Sequence, residues 1–332
     1  MKSFWPEQAS NFATEVDYLY LILIGLTVLF SLIVFVPILV MVMKYKQGTK
    51  ADRTNVHHHN LKLELAWTAI PFVMGLPVFW YGADLFVDMY KPIKGGNVLN
   101  IDVVGKQWMW HLQHPTGQRE NNELHIPLGR PIQLRMISQD VLHAFFVPAF
   151  RIKKDVIPGY YHEQWFVATK PGRYHLFCAE FCGTKHSEMI GYVTVLEADE
   201  YEKWLDANKW GTNNLMATAQ KPETTVEAGG RLFMEMGCVT CHGKKDGPYV
   251  PLAEIYGTER RLSDGRTVTA DDDYIRTSIY RPDAMKVAGY DAVMPPFKGI
   301  LDEQQVMQLI AYIKSLKSET PVAATLPTEG NQ

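Results

Sequence analysis

The chain has 332 residues, which is enough for two or three domains, and 47% of them are hydrophobic, an ordinary share for a globular protein. Its 33 basic and 36 acidic side chains leave a formal net charge of -3. Because a nucleic-acid-binding surface needs a strongly basic face, this balance disfavours a nucleic-acid partner.

Two apolar segments near the N-terminus predict a transmembrane hairpin. Residues 19–43 carry no charge, and a helix of that length crosses a hydrocarbon core of about 30 Å. Residues 65–83 form a second uncharged stretch with two prolines, which transmembrane helices tolerate when neighbouring groups satisfy the freed carbonyls. We therefore predict spans at 19–43 and 64–90 after an N-terminal segment of residues 1–18. A buried hairpin in a soluble protein is the alternative, but an uncharged run of 25 residues is rare in a soluble core.

The loop between the spans, residues 44–63, is basic and predicts the orientation of the hairpin. Five lysine and arginine side chains lie between Lys44 and Glu64, against two acidic ones, and short basic loops stay in the cytoplasm. Both termini and everything after about Asp84 are then expected to be extracytoplasmic. The histidines at 57–59 lie in this solvated loop, where we expect no metal site.

From about Val98 the pattern changes to short alternating segments rich in valine, isoleucine, phenylalanine and tryptophan, separated by proline and glycine. Regularly spaced short strands of this kind predict a β-sandwich or a Greek-key barrel, which we assign to residues 95–210. In the segment GKQWMWH, Trp108 and Trp110 are expected to share one strand face. A polar, breaker-rich stretch at 211–225 predicts a linker.

The segment CAEFCGTKHSEM places two thiols, an imidazole and a thioether within twelve residues, at Cys178, Cys182, His186 and Met189. Spacing alone leaves a disulfide open, but this donor set favours copper. A single blue copper needs one cysteine, and zinc gains little from methionine. Two thiolates that bridge two copper ions would use every donor, provided that a further histidine joins them. His143, at the end of a predicted strand in VLHAFFVPAF, is the candidate.

The last domain, residues 226–317, is predicted to be helical and contains a second cysteine cluster, CVTCH. Cys-x-x-Cys-His is the attachment motif of c-type haem, in which Cys238 and Cys241 form thioethers and His242 binds the iron. A disulfide, a redox dithiol or half of a zinc site has similar spacing. No cysteine or histidine follows His242 to complete a zinc site, which favours the haem interpretation.

A second axial ligand is needed if this haem transfers electrons. Met294 in YDAVMPPFKGI is preferred over Met285 because the prolines after it predict a rigid loop, and a thioether ligand raises the haem potential. Its MPPFKG segment resembles the distal loop of small class I cytochromes c. The domain closes with an amphipathic helix that starts near Asp302, and the tail at 318–332 carries no packing signal. The apolar residues at helical spacing are Val306, Leu309, Ile310, Ile313 and Leu316.

Taken together, these motifs resemble subunit II of haem–copper cytochrome c oxidases. HAFFVP followed by CAEFCGTKHSEM is similar to the CuA centre of that subunit, and the hairpin, GKQWMWH and DVIPG extend the resemblance over residues 15–200. The c-type domain extends it to about residue 317 and resembles the caa-type branch. The resemblance implies a two-helix transmembrane hairpin, an all-β cupredoxin-like Greek-key barrel and a small all-α class I cytochrome c domain.

The same resemblance implies roles for individual residues. Besides its carbonyl's role as a copper ligand, Glu180 is implied to lie beside a magnesium or manganese site at the boundary with subunit I. Trp108 is implied to receive electrons from cytochrome c, and Glu64 to stand at the mouth of a proton channel. The fused haem is expected to reach the same Trp108 surface from its linker. The implied ligands of a dinuclear copper centre are His143, Cys178, the backbone carbonyl of Glu180, Cys182, His186 and Met189.

Two positions depart from the family pattern. Tyr160 stands where an arginine often follows the PG of DVIPG, which affects a contact near the subunit I interface and not the copper site. Glu188 adds a carboxylate beside the cluster, between His186 and Met189.

We predict an electron-transfer subunit of a terminal oxidase in a bacterial inner membrane, with no oxygen site of its own. Electrons would pass from haem c to the copper centre and on to subunit I, which reduces oxygen and pumps protons. The donor would be a cytochrome c or an upstream complex. A free-standing, membrane-anchored redox carrier is the alternative. A quinol-oxidising relative is disfavoured because such subunits lack the copper cysteines.

Overall fold

The computed structural model describes residues 5–54, 59–91, 93, 95, 97–207, 223–243, 249–290 and 294–316. The chain divides into two compact units, one formed by Asn11–Lys91 and the other by the residues on either side of that segment. Most of the predicted linker and the whole predicted tail lie outside the described residues, as do His57 and His58.

The first unit contains two helices, α1 at Ala13–Tyr45 and α2 at Leu61–Tyr90. Both are long and apolar enough to cross a membrane, by length and composition. Asn60 caps α2, because its side-chain oxygen accepts a hydrogen bond from the Leu63 amide at 3.2 Å and so satisfies one of the free N–H groups at the helix start.

Each helix extends beyond the uncharged run that predicted it. α1 begins before Leu19 because a helix needs no apolar side chain in its first turn, and Glu15 is favoured there by the positive end of the helix dipole. The hydroxyl of Tyr81 on α2 donates a hydrogen bond to the Glu15 carboxylate. The two helices are therefore joined by a polar contact near the start of α1.

The second unit begins with a β-domain, which we define as residues 97–207 together with the described residues before Asn11. Its strands within that range are β1 Leu99–Lys106, β2 Met109–Gln113, β3 Arg119–Asn121, β4 Glu123–Pro127, β5 Pro131–Ser138, β6 His143–Val147, β7 Ile152–Val156, β8 His162–Val167, β9 Gly172–Cys178 and β10 Ile190–Leu196.

These strands form two five-stranded sheets, with the orders β3-β2-β1-β5-β8 and β4-β10-β9-β6-β7. β1 pairs with β5 and β10 with β4 in parallel, and the other pairs are antiparallel. The side chain of Trp110 on the first sheet contacts that of Phe145 on the second, with ring centroids 5.2 Å apart. Because both side chains are buried, the apolar core lies between the sheets, as a sandwich or barrel requires.

The prediction that Trp108 and Trp110 share a strand face was wrong. β1 ends at Lys106 and β2 begins at Met109, so Trp108 lies in the turn between the two strands, where it is half-buried. Trp110 lies within β2 and is fully buried. The alternation rule applies only inside a strand, and the turn interrupts it.

A helix at the end of the β-domain is followed, after the linker, by a helical domain, which we define as residues 223–316. The β-domain helix is α3 Ala198–Ala207. The elements of the helical domain are α4 Thr225–Glu235, α5 Cys238–His242, β11 Glu259–Arg261, β12 Thr267–Thr269, α6 Asp272–Tyr280 and α7 Glu303–Ser315.

The helical domain is built around α7, and the predicted amphipathic pattern of this helix is confirmed. Asp302 caps α7 by accepting a hydrogen bond from the Gln305 amide at 2.8 Å. All five predicted apolar side chains of the closing helix are buried in one core cluster. β11 and β12 form a short antiparallel ribbon that the sequence pattern did not indicate.

The helical domain packs on the outer face of the first sheet of the β-domain. Val104 and Ile137 pair across β1 and β5 and point away from the core between the sheets. Met307 of α7 covers both, and the three side chains form a buried cluster of their own. This contact places α7 beside β1.

Candidate metal centre and haem-binding pocket

The loop between β9 and β10 carries five of the six predicted copper-ligand groups. Cys178 is the last residue of β9, and Met189 directly precedes β10. The two strands are antiparallel neighbours, and the Cys178 amide donates to the Met189 carbonyl at 3.2 Å. The strand pairing therefore closes the loop and brings its two ends together.

The two thiols lie side by side, although Cys178 ends β9 and Cys182 lies within the loop. Cys178 Sγ is 3.7 Å from Cys182 Sγ and 3.2 Å from the backbone carbonyl oxygen of Glu180. Both cysteines are buried, and neither forms a disulfide. A sulfur–sulfur separation of this size leaves room for metal ions to contact both atoms.

The two imidazoles and the thioether approach the thiols from the sides. His143 begins β6, next to β9, and its Nδ1 is 3.9 Å from Cys178 Sγ. His186 Nδ1 is 3.4 Å from Cys182 Sγ, and Met189 Sδ is 3.9 Å from the same sulfur. All six predicted ligand groups therefore meet in one contact cluster, although residues 143 and 178 are far apart in sequence.

The charges of this cluster favour a bound cation. Burial raises the pKa of the Cys178 thiol, but hydrogen bonds with His143 and with backbone groups outweigh burial and lower the pKa to about 6. Burial and the neighbouring Cys178 raise the pKa of Cys182 to about 12. Two thiolates at this separation repel each other, so a positive ion between them is needed to hold both. The soft donor set fits copper.

Asp140, which the sequence pattern did not single out, orients His143. Asp140 Oδ1 lies 2.8 Å from His143 Nε2, so the imidazole donates there and turns its Nδ1 toward the sulfur. The same carboxylate accepts hydrogen bonds from the amides of Gln107 and Val141, each at 2.7 Å. The only sign of this role in the sequence is an aspartate three residues before a histidine. That spacing indicates a contact only when the turn between β5 and β6 is known to bring the two side chains together.

Replacing Asp140 with alanine is expected to weaken copper binding by about 10- to 100-fold, because the His143 ring loses the group that fixes its orientation. Copper affinity of the detergent-solubilised protein, measured by competition with a chelator, checks this. Asp155→Ala is the matched control, since Asp155 is half exposed and forms an ion pair with the half-exposed Lys153 at 2.6 Å. Equal affinities for the two variants would contradict the orienting role.

Trp108 lies against the loop that carries the thiols. A Cβ added at Gly183 would lie 3.4 Å from the Trp108 ring, so the indole and the loop backbone are in contact. The neighbouring Gln107 side chain donates to the Cys182 carbonyl at 2.8 Å. Trp110 lies deeper, edge-on to the His143 ring with centroids 5.9 Å apart. The turn between β1 and β2 thus contacts the loop that carries the thiols of the contact cluster.

The helical domain contains an apolar cavity of about 270 Å³ that the haem motif faces. Cys238, Cys241 and His242 lie on α5 and line it, and most of the remaining lining is apolar. His242 Nδ1 donates to the Val250 carbonyl at 2.9 Å, which leaves Nε2 as the free ring nitrogen. Burial lowers the pKa of His242 and so favours the neutral imidazole that an iron ligand needs.

Both methionines considered as the second axial ligand line the same cavity. Met294 and Met285 each pack against the apolar core cluster of the domain. The structure thus brings both thioethers to the cavity. The cavity therefore provides two thiols, one imidazole and two candidate thioethers, a set that fits a covalently attached haem.

Comparison with known proteins identifies the family. Residues 116–196 match the family model of the periplasmic domain of cytochrome c oxidase subunit II, and residues 226–317 match that of cytochrome c. The cytochrome c oxidase subunit 2 of Alkalihalophilus pseudofirmus is 31% identical over 299 residues, which cover 87% of this chain and 83% of the relative. This chain belongs to the cytochrome c oxidase subunit II family.

Other members of this family and one solved structure are also similar. The subunit 2 of Thermostichus vulcanus is 31% identical over 268 residues, covering 62% of this chain and 81% of the relative. The crystal structure of the periplasmic domain of subunit II of cytochrome oxidase from Bradyrhizobium japonicum is 32% identical. It covers 35% of this chain and 96% of that domain, with a TM-score of 0.33.

Membership of the subunit II family confirms the predicted fold classes and indicates the cofactors. The β-domain is the cupredoxin-like domain of subunit II, which implies copper, and the helical domain is a cytochrome c domain, which implies haem. The periplasmic domain and the two apolar helices fit a two-pass membrane protein with extracytoplasmic domains. The chain is therefore an oxidase subunit that takes part in electron transfer.

The remaining predicted residues lie at the surface. Glu64 is in the first turn of α2, where its carboxylate accepts a hydrogen bond from the Asn60 amide at 3.2 Å and lies 2.8 Å from His59 Nδ1. Tyr160 is 64% exposed. The carboxylate of Glu188 lies 3.4 Å from Lys185 Nζ, so this departure from the family forms a surface ion pair beside the cluster.

Proposed function

We propose that this subunit passes electrons from a haem c in its helical domain to a dinuclear copper centre in its β-domain, and from there to the subunit that reduces oxygen. The observation that carries this proposal is the contact cluster of six donor groups, two of which are thiols with their sulfurs 3.7 Å apart. The bound haem and copper ions would supply sites that gain and lose one electron. In the full complex, oxygen reduction would be coupled to proton pumping in the partner subunit I.

The role of the β-domain in this proposal is to hold the copper ligands in place. His143, Cys178 and Met189 lie at the ends of paired strands, and Asp140 fixes the His143 ring. Ligands held this stiffly move little when the charge of the site changes. The proposed set is His143, Cys178, the Glu180 carbonyl, Cys182, His186 and Met189.

In the helical domain, Cys238 and Cys241 would hold the haem covalently and His242 would bind its iron. The hydrogen bond from His242 to the Val250 carbonyl supports this assignment, because it orients the ring and raises the basicity of Nε2. We propose Met294 as the opposite ligand and keep Met285 as its competitor, since both line the cavity. Spectra of Met294→Ala and Met285→Ala would separate them, because only the true ligand's loss changes the iron coordination.

Further roles are proposed from the family resemblance. Glu180 would also face a magnesium or manganese ion at the subunit I boundary, and Trp108 would receive electrons from an external donor. The contact of Trp108 with the thiol-bearing loop supports that role. Glu64 would stand at the cytoplasmic mouth of a proton channel completed by subunit I.

We also propose that both termini lie outside the cytoplasm, in a bacterial inner membrane. The segment before α1 supports this orientation. The Ala9 amide donates to the Ala149 carbonyl, and the Thr169 amide donates to the Ala9 carbonyl, each at 3.0 Å. A segment bonded to the β-domain lies on the same side of the membrane as that domain.

Replacing Cys182 with serine is expected to abolish the spectrum of a copper pair. Two equivalent copper nuclei that share one unpaired electron give a seven-line hyperfine pattern in the EPR spectrum of the oxidised, detergent-purified chain. A serine hydroxyl is a hard, weakly acidic donor that would not replace the Cys182 thiolate as a copper ligand. Cys241→Ser is the matched control, because it changes the haem attachment and leaves the copper cluster intact.

A four-line spectrum of the unchanged protein would contradict a copper pair, and no copper signal with an oxidised Cys178–Cys182 pair would contradict copper binding altogether. The alternative of a free-standing carrier is tested by purification in mild detergent. A large polytopic subunit that co-purifies with this chain, together with its own haem, would exclude that alternative.

A further inference from the structure

The contact between the helical domain and the β-domain has the anatomy of a specific interface. Its centre is apolar: Val104, Ile137 and Met307 are at most 4% exposed. Tyr161 directly precedes β8. Its side chain packs against both this cluster and the core of the helical domain. A fully buried apolar centre is typical of stable interfaces, whereas nonspecific contacts leave such side chains exposed to water.

On one side of this centre, charged groups join the two domains. The Arg135 guanidinium on β5 is bound through Nε to Asp102 at 2.9 Å and through Nη1 to Asp272 of α6 at 2.6 Å. The neighbouring Asp273 carboxylate accepts a hydrogen bond from the Tyr161 amide at 3.0 Å. Arg276, also on α6, donates to the Gly159 carbonyl at 3.1 Å.

On the other side, uncharged polar groups join the domains. The amide side chains of Gln304 and Gln308 on α7 both donate to Gln113 Oε1 at the end of β2, at 2.8 and 3.1 Å. Thr225, the first residue of α4, donates through its hydroxyl to the His114 carbonyl at 3.3 Å. Polar contacts at both edges and an apolar centre fix the position of one domain on the other.

The two sides of α7 face different sites. Leu309 and Ile313 line the cavity that fits the haem, whereas Met307 contacts Val104 of β1. The next residue of β1 is Gly105, where an added Cβ would lie 3.1 Å from Cδ2 of the His143 ring. A continuous series of contacts therefore runs from the haem cavity through α7 and β1 to a proposed copper ligand.

We propose that the helical domain stays docked on the outer face of the first sheet and delivers electrons to the copper site across the Met307–Val104–Gly105–His143 contact, and not through Trp108. This inference rests on the proposed function. With haem and copper bound, one electron would pass from the reduced haem to the oxidised copper site, and no bond would form or break. Met307 acts as a positioning residue, because it holds the two domains in register.

This arrangement replaces the expectation that the fused haem uses the Trp108 surface. None of the described polar contacts between the two domains involves Trp108, which lies in the turn beyond the end of β1. The neighbouring Met109 and the Phe181 of the copper loop are 37% and 75% exposed. That surface is left for a different partner, such as an external electron donor.

The test is Met307→Glu in the intact oxidase. A carboxylate is unfavourable inside the apolar centre but is solvated once the domains separate, so this variant acts on docking and not on the fold of α7. Hydrogen exchange of the β1 and α7 peptides reports docking independently of turnover. After photoreduction of the haem by a ruthenium dye, the rate of copper reduction is expected to fall by about tenfold or more, because it scales with the docked fraction.

Three comparison variants make the outcome decisive. Ile300→Glu adds the same charge at a 65% exposed position of the helical domain and should change neither readout. Ile137→Glu places the charge on the β-domain side and should reproduce the Met307→Glu result. Trp108→Ala is expected to lower the internal rate less than Met307→Glu does, and to slow reduction by an external cytochrome c.

Faster exchange in Met307→Glu with an unchanged internal rate would overturn the proposed route, and so would an internal rate that falls as far in Trp108→Ala as in Met307→Glu. Unchanged hydrogen exchange in both Met307→Glu and Ile137→Glu would overturn the docking itself. The haem absorbance and the copper EPR spectrum of the unchanged protein are recorded first. If either is missing, the proposed function fails, whereas normal spectra with the wrong variant response refute only this inference.

Discussion

Replacing Gly229 with alanine is expected to unfold the helical domain well below the melting temperature of the unchanged protein, while the β-domain stays folded. α4 and α7 cross at this glycine, and an added Cβ would lie 2.0 Å from the Gln308 carbonyl oxygen and 2.8 Å from the Tyr312 Cβ. The nearest atom belongs to backbone, so the helices must move apart. Overpacking of this kind costs about 3 kcal/mol, which in a domain of this size lowers the midpoint by more than about 10 °C.

Gly230→Ala is the matched control for this prediction. The two glycines are neighbours on α4, but a Cβ at Gly230 meets only the Tyr312 ring, at 3.1 Å, and a side chain can yield. The higher helix propensity of alanine, about 1 kcal/mol over glycine, offsets the remaining crowding. The Soret absorbance of the haem-loaded protein against temperature measures both variants. Similar midpoints for the two would show that the helices are not held in close contact.

The sequence predicted those parts of the sites that are encoded in short motifs. The segment that contains Cys178, Cys182, His186 and Met189 keeps its donors within twelve residues, so closing one pair of strands is enough to bring them together. His143 could be named in advance because the donor set needed one more imidazole. The last helix was equally predictable. Its apolar residues recur at helical spacing, and Asp302 stands where a cap residue is expected, directly before the helix.

Features that depend on where a strand ends, or on two distant segments, were not predictable. Asp140 became informative only when the turn before β6 placed its carboxylate on the His143 ring. The position of Trp108 required the end of β1. Arg135 and Asp272 are 137 residues apart, and no periodicity marks a pair of charges at that separation. The docked arrangement of the domains therefore had to come from the structure.

Replacing Arg135 with methionine is expected to separate the helical domain from the β-domain. The Arg135 and Asp272 side chains are each 13% exposed, so the pair is largely buried. Methionine fills similar volume but leaves the Asp102 carboxylate without its guanidinium, and Asp272 keeps Lys314, at 2.6 Å, as its cationic partner. Losing one partner of a buried ion pair costs about 3–5 kcal/mol, mostly from the charge left behind. Separation of the domains returns both carboxylates to water, so undocking is the expected relief.

Arg173→Met is the matched control, because Arg173 pairs with Glu123 in a similar geometry at 3.1 Å but is 54% exposed. Exposed pairs contribute little, so this variant should stay docked. Faster hydrogen exchange in the α7 and β1 peptides of Arg135→Met alone, with normal haem and copper spectra, is the expected result. Equal protection in both variants would mean that the apolar centre holds the domains without help from the charges.

The pH dependence of docking provides an independent check on the same pair. Burial raises the pKa of Asp272, but Arg135 and Lys314 outweigh burial and hold this pKa below its ordinary value of 3.8. The pKa of Asp272 is lower in the docked state than in the undocked state. The contribution of the ionised Asp272 carboxylate to docking is therefore complete above about pH 4, and it is lost as the pH falls through the lower pKa of the docked state. The unchanged protein should thus stay docked at neutral pH and release the helical domain only in acid, whereas Arg135→Met should already be undocked at pH 7. An acid transition that persists unchanged in Arg135→Met would assign the pH dependence to other carboxylates and would separate Asp272 from the docking of the two domains.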